Sequence, residues 1–159
     1  MRSVRAAALA MVVVAVATGC TTLSSGKSQS TTVPQALSRA RFAYLADRAC
    51  AREHQREKGI PKPTSPTTLV TSLQRAIKSL EREIVALRAL RPPSADAALY
   101  GRVLSGLDAQ DLDATKLISA YQEHQLGHAK AFARRIDRLN KHLRYLNRKL
   151  HLRACVKDS

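Results

Sequence analysis

The chain of 159 residues has very few aromatic side chains: no tryptophan, two phenylalanines and four tyrosines. A hydrophobic core must therefore be built mainly from leucine, isoleucine, valine and alanine. The same scarcity removes the aromatic platforms on which proteins stack nucleic-acid bases, so nucleic acid is an unfavoured partner. Long apolar runs are also missing. The longest, residues 6–19, spans about 14 residues, whereas a transmembrane helix needs roughly 20, so we predict no membrane-spanning helix.

Acidic residues are scarce as well, since 12 Asp and Glu stand against 27 Lys and Arg, with a formal net charge of +15. Such a balance favours partners that carry negative charge. Motifs for enzymatic chemistry are absent, because the chain has neither a Gly-x-Ser-x-Gly nucleophile motif nor a phosphate-binding loop. We therefore expect a binding protein and not an enzyme, with no cofactor.

The start of the chain has the pattern of an export signal. Arg2 and Arg5 precede the apolar run, which ends in small residues before Cys20, as in a secretory signal peptide. The series Val16-Ala17-Thr18-Gly19-Cys20 resembles the lipobox of bacterial lipoproteins, in which the cysteine becomes the lipidated first residue. The resemblance implies that residues 1–19 are removed and that Cys20 carries a lipid anchor with palmitate-type acyl chains. It places the protein on the extracytoplasmic face of the cell membrane.

Serine and threonine dominate residues 21–32. We predict a flexible tether over residues 20–33, including the lipidated cysteine, and one folded domain over residues 34–159. Loss of residues 1–19 removes only Arg2 and Arg5 from the 27 basic residues and none of the 12 acidic ones. The mature chain therefore keeps a formal charge of +13.

The chain has three cysteines, and an odd number in an exported protein needs an explanation. If Cys20 carries lipid, Cys50 and Cys155 remain as a pair, and an oxidising compartment favours a disulfide between them. The chain-entropy model gives roughly 4–5 kcal/mol of stabilisation for a loop of about 105 residues. Two alternatives stay open: export with a free Cys20, and two separate buried thiols at positions 50 and 155.

Apolar residues recur at steps of three and four from residue 34 onward, which predicts helices. The predicted ranges are 34–58, 67–91 and 95–125, with Thr32 and Ser94 as caps of the first and third. Gly127 is the predicted break before the fourth helix, whose apolar residues run from Ala129 to Leu150. The two clearest stripes are Leu69, Leu73, Ile77, Leu80, Ile84 and Leu87, and Ala129, Phe132, Ile136, Leu139, Leu143, Leu146 and Leu150. Short connections favour an antiparallel four-helix bundle, closed by one disulfide. The rival is a long coiled-coil hairpin in which the last two helices continue through Gly127.

The mature chain resembles small actinobacterial lipoproteins of unknown function. The matching residues are Cys50, the turn Leu87-Arg88-Ala89-Leu90-Arg91-Pro92-Pro93 and the ending Leu150-His151-Leu152-Arg153-Ala154-Cys155. His151 stands where these proteins usually have glycine. The resemblance covers about 120 residues and implies a disulfide-closed helical bundle without implying an activity.

The last predicted helix carries five basic residues that fall within about 80° of one another at 100° per residue. These residues, here called the basic stripe, are Lys130, Arg134, Arg138, Lys141 and Arg148. They lie opposite the apolar stripe, and their mutual repulsion does not favour the helix. We predict that the basic stripe binds anions beside the membrane that the lipid anchor holds: an envelope polymer, lipid head groups or an acidic protein. The alternative is a solvated face without a partner.

A second functional hypothesis is a carrier that holds a small ligand or a metal ion in a cavity between the helices. His124 and His128, four residues apart, would share a helix face but lack a third ligand at a telling spacing, so we predict no metal site. The two hypotheses differ in what the interior should contain. A large polar-lined cavity favours the carrier, and a tightly filled core favours the surface binder.

Overall fold

A computed structural model describes residues 36–156, which form four α-helices and no strand. The helices are α1 (Arg39–Lys58), α2 (Pro66–Arg88), α3 (Ser94–Gln122) and α4 (Leu126–Lys149). The prediction of an all-α protein with four helices is confirmed. Within the described range, no helix has both the length and the apolarity needed to cross a membrane. The predicted signal peptide, the lipidation site Cys20 and the tether over residues 20–33 lie outside the described residues.

The helix starts differ from the predicted caps in two places. Ser38 caps α1, and its Oγ accepts a hydrogen bond from the Arg41 backbone N–H at 3.3 Å, while Thr32 lies outside the described residues. The predicted cap of α3 is wrong, because Pro93 occupies the cap position and Ser94 is already helical. Asp96, one turn into α3, supplies the negative charge that a helix N-terminus favours.

The break between α3 and α4 lies at His124 and not at Gly127. His124 has a φ of 58°, in the left-handed region, and the Gln125 N–H donates back to the carbonyl of Ala120 at 2.8 Å. This is the hydrogen bond that ends a helix in a Schellman motif. Gly127 lies in the first turn of α4. The long continuous helix is therefore excluded.

The end of α4 repeats the same motif with a second histidine. His151 has a φ of 59°, and the Leu152 N–H donates to the carbonyl of Asn147 at 2.9 Å. The actinobacterial lipoproteins that the sequence resembles usually have glycine at this position. His151 thus adopts a left-handed conformation that glycine adopts without steric cost.

Replacing His151 by glycine is expected to raise the free energy of unfolding by about 1 kcal/mol, because a side chain in the left-handed region costs about that much. The measurement is urea unfolding followed by circular dichroism. His142→Gly is the matched control, since His142 lies on the exposed face of α4 in an ordinary helical turn. There the same change should lower the stability by about 1 kcal/mol. A loss of stability in both variants would contradict the prediction.

Consecutive helices pack against each other, α1 on α2, α2 on α3 and α3 on α4. Contacts between α1 and α2 run in opposite sequence order, with Cys50 beside Glu83 and Glu53 beside Ser79. In the described part of the chain, the backbones of α1 and α4 do not approach closely. The antiparallel order of the whole bundle stays a prediction, whereas its closure by one disulfide is confirmed.

The segment after Leu150 connects α4 to α1. It turns back so that Cys155 forms a disulfide with Cys50, with the two Cα atoms 5.1 Å apart. The Ala154 N–H donates to Asp47 Oδ1 at 2.8 Å, and the Leu152 side chain is fully buried. Because the segment folds back, a cysteine near the end of the chain reaches the middle of α1.

The core consists of two clusters. The larger cluster surrounds the disulfide and includes the edge-to-face pair of Phe42 and Tyr100, whose ring centres are 4.8 Å apart. The smaller cluster joins α3 to α4 through Leu117, Ala120 and Ala129. The two clusters do not fill the interior between them.

Candidate functional site

A cavity of about 330 Å³ borders both core clusters and is partly open to solvent. All four helices and the segment after α4 contribute to its wall. The wall is mainly apolar, and its larger apolar side chains include Leu80, Leu87, Val103, Leu107, Leu117 and Leu143. The structure thus has a concave, mostly apolar site of the kind that binds small molecules.

The sequence of α1 explains why the interior is not filled. Its inner face is apolar through Cys50 but continues with His54 and Glu57, which line the cavity. Each of the other three helices contributes an alanine to the cavity wall: Ala76 on α2, Ala114 on α3 and Ala133 on α4. Small and polar side chains on all sides leave space that a leucine or phenylalanine would occupy.

The cavity is large enough for its energetic cost to matter beside the free energy of unfolding of the domain. At about 24 cal/mol per Å³, a closed and empty apolar cavity of this volume would cost roughly 8 kcal/mol, and the opening to solvent lowers that cost here. Domains of this size are stable by only about 5–15 kcal/mol. The apolar part of the wall offers water few hydrogen-bond partners. A ligand with an apolar body is therefore the better occupant of that part.

Glu83 is the most perturbed titratable group on the cavity wall. Its carboxylate lies 3.1 Å from Cys50 Sγ, beside the disulfide. Burial, together with the negative charges of Glu57 and Glu53, raises the pKa of Glu83 to about 7. The carboxyl group is therefore close to half ionised at neutral pH, and a nearby positive charge would favour its ionised form.

The neighbouring carboxylate of Glu53 is buried but has its own partners. Arg82 Nε and Ser79 Oγ each donate to Glu53 Oε2 at 3.1 Å, and Arg56 donates to the other oxygen. These bonds hold Glu53 as part of the α1–α2 packing. The negative charge of Glu53 helps to raise the pKa of Glu83, but both oxygens of Glu53 already accept hydrogen bonds from these side chains and are not available to a ligand.

Two asparagines of α4 add unpaired acceptors to the wall. Asn147 is 5% exposed, and its Oδ1 has no hydrogen-bond partner, as is also true of the buried Oδ1 of Asn140. Neither Glu83 nor these two asparagines were predicted as site residues from the sequence. A signal was present, because Asn140 and Asn147 flank Leu143 at the three-and-four spacing of the apolar stripe, where a polar residue is unexpected.

One group of three possible metal ligands occurs among the described residues, with atoms of Cys50, Glu83 and Cys155 within 4.8 Å of one another. Both sulfurs belong to the disulfide, whereas the sulfur ligand of a metal is a thiolate. The group therefore does not form a metal site in the oxidised protein. The predicted sharing of a helix face by His124 and His128 is wrong, since His124 lies in the turn before α4.

The basic stripe is exposed along α4. All five side chains are exposed: Lys130, Arg134, Arg138, Lys141 and Arg148. Among the described residues, none of them forms an ion pair with an acidic group. The neighbouring Arg135 differs, because its Nε lies 3.0 Å from Oδ2 of the buried Asp113. The structure thus separates one structural arginine from a set of cations that face solvent.

Comparisons with protein-family models, curated proteins and solved structures find no match to this chain. The resemblance to small actinobacterial lipoproteins therefore stays a prediction.

Proposed function

We propose that this protein binds a small, mainly apolar ligand in the interhelical cavity and carries it at the extracytoplasmic face of the cell membrane. The observation that supports the proposal best is the cavity itself. Its volume of about 330 Å³ falls within the range of roughly 300–1,000 Å³ that is typical of ligand pockets. A few polar groups on an apolar wall would orient the ligand. Lipidation of Cys20, in this proposal, keeps the carrier at the membrane.

The test uses the fluorescent probe N-phenyl-1-naphthylamine, a neutral apolar molecule, with the mature chain (residues 20–159). Ala114→Leu adds three carbon atoms to the cavity wall. The variant should weaken probe binding at least about tenfold, since the added side chain occupies the binding volume. It should also stabilise the free protein by about 0.5–2 kcal/mol, as filling a cavity does. In a tightly packed core the same substitution would destabilise by about 1–3 kcal/mol.

The sign of the stability change therefore separates a cavity from a filled core. Ala97→Leu is the matched control, since Ala97 is exposed on the same helix. It should leave probe binding unchanged. Probe binding that neither variant alters would contradict the proposed site.

A second role is supported by the exposed basic stripe, which forms no ion pair with an acidic group of residues 36–156. We propose that it attracts anionic lipid head groups or anionic polymers of the cell envelope. Each Lys or Arg near an anionic surface adds about 1 kcal/mol, within the screening length of the solution. One acyl chain alone anchors a protein only marginally, so the stripe would strengthen the anchor at Cys20. An acidic protein would satisfy the same charges.

The mature chain with Cys20→Ser carries no lipid and isolates the contribution of the stripe. It should cosediment with vesicles that contain anionic phospholipid, and the binding should weaken as salt rises. Changing Arg134, Arg138 and Lys141 to Gln should abolish most of this binding and preserve helicity, because the three side chains are exposed. Salt-insensitive binding would leave the stripe as a solvated face.

The matched control changes Lys58, Arg75 and Lys78, three exposed cations on α1 and α2, to Gln. Net charge falls equally in both triple variants. An equal loss of vesicle binding in both variants would show that binding depends on the net charge of the protein and not on the basic stripe.

A further inference from the structure

The charge of the cavity wall is opposite to that of the protein. The chain has a formal net charge of +15, yet among the described residues no Lys or Arg lines the cavity. Three acidic residues do: the half-buried Glu83, and Glu57 and Asp137, which are also exposed to solvent. His54 is the other titratable side chain there apart from the cysteines. A concave site lined by one sign of charge attracts ligands of the other sign. The wall therefore favours a cationic group and disfavours an anionic one.

The carboxylate of Glu83 favours a cationic group that carries N–H bonds, because a carboxylate accepts hydrogen bonds and those to charged groups are the strong ones. The amide of Asn147 has a different role. Its Nδ2 donates to the carbonyl of Cys155 at 3.2 Å, which fixes the orientation of the amide. Its Oδ1 has less than 1 Å² of accessible surface, so a ligand in the cavity does not reach that oxygen.

Glu83 and Asn147 lie at the same part of the cavity. A carboxylate oxygen of Glu83 is within 4.8 Å of both disulfide sulfurs, and Asn147 is bonded to the backbone of one of the two cysteines. The part of the wall that borders the smaller cluster is apolar, with Leu73, Ala133 and Ile136. The site thus has an acceptor-rich part beside the disulfide and an apolar part beyond it.

We infer that the ligand is a small amphiphilic amine, whose ammonium group donates to Glu83 and whose apolar body lies along the leucines of the wall. The inference rests on the proposed carrier function and names the chemical class of its ligand. Proteins usually bind quaternary ammonium groups in aromatic cages. Within residues 36–156 no Phe, Tyr or Trp lines this cavity, and a quaternary group has no N–H to donate. Primary and secondary amines fit both observations.

Four compounds with the same eight-carbon chain test the inference: octylamine, octanol, octanoate and octyltrimethylammonium. Each is titrated against the mature chain at pH 8 in competition with N-phenyl-1-naphthylamine, and isothermal titration calorimetry checks the affinities. A hydrogen bond to a charged group contributes about 1.5–3 kcal/mol, so octylamine should bind at least about tenfold tighter than the other three. Octanoate should bind most weakly, since its charge matches that of the wall.

Glu83→Gln should reduce the ratio of octylamine to octanol affinity at least about tenfold. Glu81→Gln is the matched control, because Glu81 is exposed on the same helix and does not line the cavity. It should leave the ratio unchanged. The charge preference of the unaltered protein tests the inference independently of whether the Glu83 variant folds.

The outcomes separate the two proposals. Octanol or octanoate binding as tightly as octylamine would overturn the amine inference and support the apolar carrier. Equal binding of octylamine and octyltrimethylammonium would overturn donation to Glu83. Failure of the probe and of all four compounds to bind would overturn the carrier function itself.

Discussion

Replacing both Cys50 and Cys155 by alanine is expected to lower the free energy of unfolding by about 4 kcal/mol. The disulfide joins residues 105 positions apart, and the chain-entropy model gives about 4–5 kcal/mol for a loop of that length. This loss is a large fraction of the roughly 5–15 kcal/mol that stabilises an ordinary domain. Urea unfolding of the mature chain measures it, with Cys20→Ser in every protein so that no third thiol exchanges.

The position of the disulfide makes a second consequence measurable. In the described part of the chain the backbones of α1 and α4 do not approach closely, so the segment after Leu150 joins them. In the double variant this segment retains the burial of Leu152 and the bond from Ala154 to Asp47. The cavity should therefore persist with a more mobile wall, and probe affinity should fall while helicity is retained.

Reductant serves as the control for the disulfide. It should bring the unfolding midpoint of the protein with both cysteines to that of the double variant, whose own midpoint should not move. Mass spectrometry without reductant should find the disulfide form 2 Da lighter than the reduced form. A stability difference below about 1 kcal/mol would show that the contacts of the final segment, and not the loop closure, hold α4 to α1.

The helices and the disulfide were predictable because each has a strong local signal. Apolar residues at steps of three and four indicate the inner face of a helix whatever its neighbours are. The disulfide followed from the number of cysteines and the expected compartment. Burial along the predicted apolar stripe of α2 is nonetheless uneven. Leu80, Ile84 and Leu87 are buried as predicted, whereas Leu69 and Ile77 on the same stripe are only partly buried.

The cavity was not predictable, because it depends on what faces each residue across the interior. The sequence around Ala114 is the same whether a leucine or an alanine faces it across the interior. The polar end of α1 at His54 and Glu57 was a partial signal, as was the pair Asn140 and Asn147. Only the three-dimensional arrangement shows that these polar residues and the alanines of three helices line one space.

The helix ends were missed for a related reason. Glycine is the usual residue at a left-handed helix end, so Gly127 was the expected break between α3 and α4. The structure places His124 in that conformation, where its backbone bonds to the end of α3 compensate for the steric cost. Sequence preference ranks residues at such a position but does not exclude histidine.

Raising the pH from 5 to 8 is expected to destabilise the protein by up to about 3 kcal/mol through Glu83. The pKa of this carboxyl is raised by burial to about 7 in the folded protein, from an ordinary value of 4.5. Between these values the folded chain holds a proton that the unfolded chain has lost. The contribution of Glu83 to stability is therefore greatest below pH 4.5, falls as the pH rises towards 7 and levels off above it.

Three other carboxyl groups set the context of this measurement. Burial also raises the pKa of Glu57 and that of Asp111, which adds contributions of the same sign. Asp96 has the opposite sign, because its hydrogen bonds with Arg39 lower its pKa, but its contribution is lost only at acid pH below this window. The fall in stability between pH 5 and 8 thus reports mainly the carboxyl groups at the cavity.

Glu83→Gln isolates the contribution of Glu83, since glutamine has the shape of the protonated carboxyl and does not ionise. The variant should match the unaltered protein at pH 5, exceed its stability at pH 8 by up to about 3 kcal/mol and flatten most of the pH profile. Glu81→Gln, on the exposed face of α2, should keep the full profile. Urea unfolding at half-unit steps of pH measures all three proteins. A Glu83 variant with an undiminished slope would show that Glu83 ionises normally, and the destabilisation would then have to come from other groups.

If the slope does depend on Glu83, octylamine should stabilise the unaltered protein more at pH 8 than at pH 5, because its ammonium group pairs with the ionised carboxylate.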